Sequence, residues 1–156
     1  MIRALVLSVA VAIVAADFTE VPFKNCKSTF EVKKLEMSDC TPFDEGSTKA
    51  CLFKPDTKPT IKITFVPNES GVDNLETFVR AKFGQSQLPY TMTDFETCKH
   101  GGIQCPLEAG KEYVYTQAMN IEASYPKDQL FQVNWGIGRD KKKPEVCTVF
   151  LAKIAA

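Results

Sequence analysis

Eight residues of the chain, CKHGGIQC from Cys98 to Cys105, have types and spacing that could support chemistry. Two cysteines that flank the only histidine of the sequence could form a metal site, a redox pair or a structural disulfide. Nucleophilic catalysis is not indicated, because it normally needs an available histidine and the sequence contains neither GxSxG nor HExxH. Acidic residues are scattered through predicted turns, where solvation explains them more simply than a carboxylate hydrolase does. No catalytic site and no cofactor are therefore predicted.

The N-terminal segment decides the redox environment of those cysteines. It carries one positive charge at Arg3, then an apolar run over residues 4–16 that ends before the first acidic residue, Asp17. This pattern is typical of a secretory signal peptide, and the run is short for a membrane span. We therefore predict that residues 1–16 are removed and that residues 17–156 form a single secreted domain.

Six cysteines in an oxidising compartment favour three disulfides. All six lie in the mature chain, and none forms the close CxxC pair of zinc ribbons or thioredoxin-like sites. A zinc site with one histidine would consume most of the cysteines, so no metal site is predicted. The segment CKHGGIQC is then a loop closed by a disulfide between Cys98 and Cys105. In this loop Gly101 and Gly102 turn the backbone, and His100 is exposed.

The charge balance argues against a nucleic-acid partner. Without Arg3, the mature chain has 18 basic and 19 acidic residues, a formal net charge of −1. A chain so close to neutrality has no long-range field that would attract nucleic acid.

Hydrophobicity of period two dominates the mature chain. Apolar and polar residues alternate over residues 60–67, 74–84 and 130–138. Residues 145–154 have apolar side chains on both faces of the predicted strand, which predicts a strand covered on both faces. Residues 30–37 and 112–121 complete about seven strands joined by turn clusters, without helical periodicity. The sequence therefore predicts an all-β fold, an antiparallel sandwich of two sheets.

Motifs along nearly the whole mature chain resemble those of one known family. FKNC near the start, CKHGGIQCPLEAGKEYVY, IEASYP, VNWGI and the late Cys147 follow the order and spacing of the ML lipid-recognition domain. The resemblance covers roughly residues 23–154 and is strongest to the soluble Niemann–Pick type C sterol-carrier branch, with mite group-two allergens more distant. It implies an immunoglobulin-like β-sandwich whose two sheets enclose an internal apolar lipid pocket.

The resemblance also implies particular disulfides and ligand-binding residues. The implied disulfides are Cys26–Cys147, Cys40–Cys51 and Cys98–Cys105. The implied pocket residues are Tyr90, Ile121, Tyr125, Pro126 and Trp135, for each of which ordinary core packing is the alternative. The spacing between Cys40 and Cys51 and the length of CKHGGIQC exceed the family pattern, which predicts longer surface loops there.

The function implied by the resemblance is that of a secreted, non-enzymatic carrier. It would bind and transfer a sterol, a fatty acid or a similar small hydrophobic ligand, and act as a monomer. Transient contact with an anionic membrane or with a lipid-receiving membrane protein is expected. Extracellular fluid is the expected location, with the lysosomal lumen as the alternative. A second interpretation is a module that presents a lipid or semiochemical to an innate immune or chemosensory receptor.

Two polar segments carry further expectations. Asn68, in NES, is the only N-x-S/T sequon of the chain and follows a predicted strand, so we expect it to be exposed and open to glycosylation. The segment RDKKKP, Arg139–Pro144, is expected to be a solvated hairpin tip. Its alternative role is a basic contact with anionic membranes during lipid transfer.

Overall fold

Two β-sheets that face each other make up the fold in the computed structural model, which describes residues 17–156. The predicted signal peptide, residues 1–16, lies outside the described residues. Strands are numbered in chain order. The antiparallel four-stranded sheet has the order β1 (Phe18–Glu20), β3 (Glu31–Ser38), β6 (Thr60–Val66), β9 (Tyr113–Ala118). The seven-stranded sheet has the order β4 (Thr41–Glu45), β5 (Thr48–Phe53), β11 (Val146–Ile154), β10 (Phe131–Gly138), β7 (Glu76–Phe83), β8 (Ser86–Tyr90), and β2 (Lys24–Asn25) also pairs with β11.

Strand β6 illustrates why these residues form a half-buried strand. Ile61, Ile63 and Phe65 have no exposed surface, whereas the residues between them are only half-buried. Because successive side chains of a strand point to opposite faces, the alternation turns these three apolar residues toward the other sheet. β7 and β10 alternate in the same way: Val79 and Val133 are buried, whereas Ala81 and Phe83 at the end of β7 are half-buried. The predicted two-sheet β-sandwich is confirmed.

The sandwich contains one parallel pair of strands that the sequence did not predict. β5 and β11 run parallel, with Ala152 opposite Cys51 and Ile154 opposite Phe53. A parallel pair is formed by segments far apart in sequence, so no local turn signal announces it. The described residues also contain eleven strands rather than about seven, because short strands such as β4 and β8 lack alternating apolar residues.

Strand β11 and the Cys98–Cys105 stretch also differ from their predictions. Alternate residues of β11 are buried, but those between them are half-exposed, so only one face of the strand is fully covered. The stretch contains a helical turn, α1 (Thr97–His100), rather than a simple loop, with His100 exposed as expected. Of the two glycines, only Gly102 has a positive φ, at 69°.

Aromatic side chains fill one end of the sandwich, which we call the closed end. There the ring of Phe65 stacks between those of Phe30 and Tyr113, with 6.0 Å between ring centroids in both pairs. The hairpin that joins β10 and β11 lies at this end, where Arg139 forms ion pairs with Glu69 and Glu145. Interlocking rings of this kind leave little free volume between the sheets.

Candidate functional site

At the opposite end, which we call the open end, the seven-stranded sheet and the segment 119–126 enclose an apolar cavity of about 270 Å³. None of the side chains lining it is charged, and none belongs to a strand of the four-stranded sheet. The lining residues are Val79, Ala81, Phe83, Leu88, Pro89, Tyr90, Met119, Asn120, Ile121, Tyr125, Pro126, Phe131, Val133 and Ile154.

One wall of the cavity is the inner face of the seven-stranded sheet. Val79, Ala81 and Phe83 of β7 contribute to it through their alternation, and Phe131 and Val133 do so from β10. The rings of Phe83 and Phe131 stack with 4.5 Å between centroids. Because the strands fix the spacing of these side chains, this wall is the rigid side of the cavity.

The other wall is the segment 119–126, which follows β9. The Met119 N–H donates a hydrogen bond to the Pro59 carbonyl (2.9 Å). The Ile121 N–H donates to the Thr57 carbonyl (3.0 Å), and the Ile121 carbonyl accepts from the Asp56 N–H (2.7 Å). These backbone hydrogen bonds hold the Ile121 side chain over the cavity although no sheet lies there.

Tyr90, Asn120 and Tyr125 form the mouth of the cavity. The Asn120 N–H donates a hydrogen bond to the Tyr90 hydroxyl oxygen (2.8 Å), which links β8 to the segment 119–126. Partial burial raises the pKa of the Tyr125 hydroxyl above its usual value, and the nearby Glu122 and Tyr90 raise it further. The Tyr125 phenol can therefore serve as a neutral hydrogen-bonding group at neutral pH.

A buried polar cluster lies between the two sheets, on the closed-end side of the cavity. The Thr77 hydroxyl donates a hydrogen bond to the Tyr115 hydroxyl (3.0 Å) and also contacts the hydroxyl of Thr97 (2.8 Å). Burial raises the pKa of Tyr115, an effect partly offset by its hydrogen bond with Thr77, so this phenol stays protonated. The satisfied hydroxyls stabilise the interior rather than provide a reactive group.

Four of the five pocket residues implied by the resemblance are brought together here. Tyr90, Ile121, Tyr125 and Pro126 all line the cavity. Trp135 does not, although it lies opposite Val79 in the pairing of β7 and β10. Its fully buried ring packs toward Tyr115 of the other sheet, with 6.3 Å between centroids. The cavity therefore ends before it reaches Trp135.

Sequence reasoning missed most of the cavity wall. The inward residues of β7 and β10 were recognised as inward, but alternation alone does not distinguish a filled core from a cavity. Leu88, Pro89 and Asn120 carry no periodic signal, because they lie in an edge strand and in a loop. Only the three-dimensional arrangement identifies them, because they surround the cavity above β7 and β10.

Other kinds of site find no support in the part of the chain that the structure describes. All six cysteines are bonded in the three disulfides that the resemblance implied. Within residues 17–156, no group of three or more histidine, cysteine or acidic residues could hold a metal ion. Nor does this range contain a helix long and apolar enough to cross a membrane.

Comparison with known proteins identifies the family. Residues 20–154 match the model of the ML domain, and the chain belongs to this family. It is 36% identical over 141 residues to "Putative protein heh-1" of Caenorhabditis elegans, with 90% of each chain covered. It is 28% identical over 156 residues to "NPC intracellular cholesterol transporter 2 homolog a" of Drosophila melanogaster, with 99% of each covered.

A solved structure shares the fold. The chain matches a Niemann–Pick type C2 protein from the Japanese carpenter ant with a TM-score of 0.73 and 24% identity, over 85% of this chain and 98% of that one. The resemblance to the ML domain and its Niemann–Pick type C branch is thus confirmed.

Proposed function

We propose that this protein is a non-enzymatic lipid carrier that binds a sterol, a fatty acid or a similar apolar molecule in the cavity of the open end. The observation that carries the proposal is the uncharged lining of that cavity within an otherwise filled sandwich. Two similar proteins are named cholesterol transporters, in Drosophila melanogaster and Mus musculus. The carrier would be secreted, in keeping with its three disulfides.

Burial of apolar surface supplies the driving force for binding. Removing roughly 400 Å² of ligand surface from water at about 25 cal/mol per Å² contributes on the order of 10 kcal/mol. Association costs of about 4 kcal/mol or more oppose this gain. They leave a net binding free energy of roughly 6 kcal/mol, which corresponds to a dissociation constant on the order of tens of micromolar. No charged partner is needed for such binding.

The volume of the cavity indicates that it must widen to admit a ligand. At about 270 Å³ it lies just below the range of roughly 300–1,000 Å³ that is usual for ligand pockets. The wall formed by residues 119–126 is a loop, so it can move outward more easily than the strands can. We expect the ligand to widen the cavity there and to keep its polar end at the mouth, near the Tyr90 and Tyr125 hydroxyls.

Titration with a fluorescent sterol and a fluorescent fatty acid tests the proposal. Val133→Trp places a larger ring in the cavity and should weaken both ligands by at least about tenfold, or 1.4 kcal/mol. Val149→Trp is the matched control, because Val149 is half-exposed on the outer side of β11 and does not line the cavity. It should bind as the unmodified protein does. Equal binding by all three proteins, or no binding by any, would overturn the proposal.

A further inference from the structure

A second pocket lies on the outer face of the seven-stranded sheet, under the β10–β11 hairpin. Its volume is about 150 Å³, and three cationic side chains line it: Arg80 of β7, and Lys141 and Lys142 of the hairpin. We propose that this pocket binds a phosphate group, carried either by a small soluble phosphate ester or by the headgroup of an anionic lipid.

The three cations are available to a ligand. Within residues 17–156, neither Arg80, Lys141 nor Lys142 forms an ion pair. The adjacent Arg139 differs, since Glu69 and Glu145 both hold it and neutralise its charge. Three unpaired positive charges around one small pocket attract a dianion more strongly than scattered surface lysines do.

The floor of the pocket is built for close approach. Gly136 lies against the Phe78 ring so tightly that a Cβ at this position would overlap the ring. The glycine therefore lets the Phe78 ring pack directly against β10, where both residues line the pocket. The Cys26–Cys147 disulfide also borders the pocket and ties its edge to the sheet.

Asn134 adds a neutral donor to the pocket. Its side-chain oxygen accepts a hydrogen bond from the Gln132 amide (2.8 Å), which leaves the Asn134 NH₂ group free to donate. A phosphate has enough acceptor oxygens to contact this amide and the guanidinium of Arg80 together. Arg80 matters most, because guanidinium can bind phosphate in a bidentate manner.

The hairpin is held in the shape that brings its lysines over the sheet. The Asp140 carboxylate accepts a hydrogen bond from the Lys142 N–H (2.8 Å), and the Asp140 carbonyl accepts from the Lys143 N–H (3.1 Å). Arg139 fixes the base of the hairpin through its ion pairs with the carboxylates of Glu69 and Glu145. Asp140, the one acid of the hairpin tip, thus serves the turn and does not line the pocket.

This pocket is separate from the lipid cavity. The two sites lie on opposite faces of the seven-stranded sheet, because Arg80 and Asn134 of the pocket alternate along β7 and β10 with Val79 and Val133 of the cavity. The ligand of the pocket therefore does not contact the carried lipid. Binding there could hold the carrier at a phosphate-bearing surface while leaving the mouth of the cavity free.

Two probes distinguish the sources of the phosphate. The protein is titrated with glycerol phosphate, with the chemical shifts of backbone amides as the readout, and is sedimented with phosphatidylcholine vesicles that contain or lack phosphatidic acid. Arg80→Gln should weaken binding to the effective probe by at least about tenfold. The double variant Lys141→Gln/Lys142→Gln should weaken it similarly.

Two control variants each remove one positive charge outside the pocket, as Arg80→Gln does inside it. Lys143→Gln lies on the same hairpin, and Lys82→Gln lies on the same face of β7, yet neither residue lines the pocket. Each should change binding by less than about threefold. Lipid uptake, measured on the same samples, should be the same for all variants because none of these residues lines the cavity.

The binding results either support the phosphate pocket or overturn it. Binding that is lost with Arg80→Gln but kept by the control variants supports the pocket. If glycerol phosphate binds in this manner, the ligand is a soluble ester. If only the vesicles with phosphatidic acid bind in this manner, the ligand is a lipid headgroup. Equal losses with Lys143→Gln and Arg80→Gln would show a diffuse surface charge and overturn the proposal. So would the absence of binding to both probes.

Discussion

The closed and open ends of this sandwich share strands but differ in what faces those strands. At the closed end, β10 presents Ile137 to a four-stranded sheet whose aromatic residues fill the space between the sheets. At the open end the same strand presents Phe131 and Val133 to the segment 119–126, and a cavity remains. One strand thus contributes to a core and to a binding site.

The difference arises from the lengths of the two sheets. β9 ends at Ala118 and β6 begins at Thr60, so the four-stranded sheet stops where the loop wall starts. The seven-stranded sheet continues beyond this point through Phe83, Phe131 and Ile154, all of which line the cavity. A mismatch between facing sheets therefore creates apolar volume without any special lining residue.

The disulfides should show the largest contrast between the ends. Cys26–Cys147, near the closed end, joins residues 121 apart, whereas Cys40–Cys51, on the strands toward the open end, joins residues 11 apart. In the chain-entropy model, replacing both cysteines by serine lowers the free energy of unfolding by about 4–5 kcal/mol for the first pair and about 3 kcal/mol for the second. Urea denaturation of the two double variants measures this difference. An equal loss from both pairs would contradict the ranking.

The same substitution at the two ends should have opposite effects. Ile137→Phe overpacks the closed end and should cost about 1–3 kcal/mol of unfolding free energy. In Ile121→Phe the new ring can enter the cavity, so stability of the lipid-free protein should be unchanged or slightly higher while most lipid binding is lost. Thermal melting and ligand titration are measured side by side. A large loss of stability with preserved affinity in Ile121→Phe would place Ile121 in the core.

The mouth offers a smaller, kinetic contrast. Tyr90→Phe removes the hydroxyl that accepts the hydrogen bond from the Asn120 N–H but keeps the ring. If this hydrogen bond holds the loop wall closed, ligand should both enter and leave faster by about three- to tenfold, with little change in affinity. Stopped-flow fluorescence gives both rates.

Tyr125→Phe is the matched control at the mouth, because the Tyr125 hydroxyl forms no hydrogen bond within residues 17–156. It should leave the rate of entry unchanged, whereas loss of a contact between the Tyr125 hydroxyl and the polar end of the ligand can speed exit and weaken affinity together. A slower entry in Tyr90→Phe, or a faster exit without faster entry, would mean that the Tyr90 hydroxyl contacts the ligand instead of the loop.

A glycan at the closed end should have the smallest effect. Asn68 is exposed directly beyond β6, next to Glu69, which pairs with Arg139 at that end. We expect glycosylation there when the protein passes through a secretory pathway, with no change in ligand affinity. Mass analysis of secreted protein and of Asn68→Gln measures occupancy, and titration of both compares affinities. An affinity that depends on the glycan would place Asn68 near the cavity.

The sequence predicts the fold better than it predicts the site, for a physical reason. Alternation identified the inward residues of β6, β7 and β10, because burial on one face requires period two. It could not reveal the parallel pairing of β5 with β11, which depends on contacts between distant segments. Nor could alternation show where the seven-stranded sheet extends beyond the four-stranded sheet. The cavity lies at that position. Trp135 illustrates the limit: its inward position was predicted correctly, but its distance from the open end was not.

Native mass spectrometry of the gently purified protein tests the lipid site most directly. We predict a complex with one apolar molecule of lipid mass per chain. This adduct should disappear on solvent extraction, return when the lipid is added back, and fail to form with Ile121→Phe. A protein that carries no such molecule and takes up neither sterol nor fatty acid after extraction would contradict the central claim.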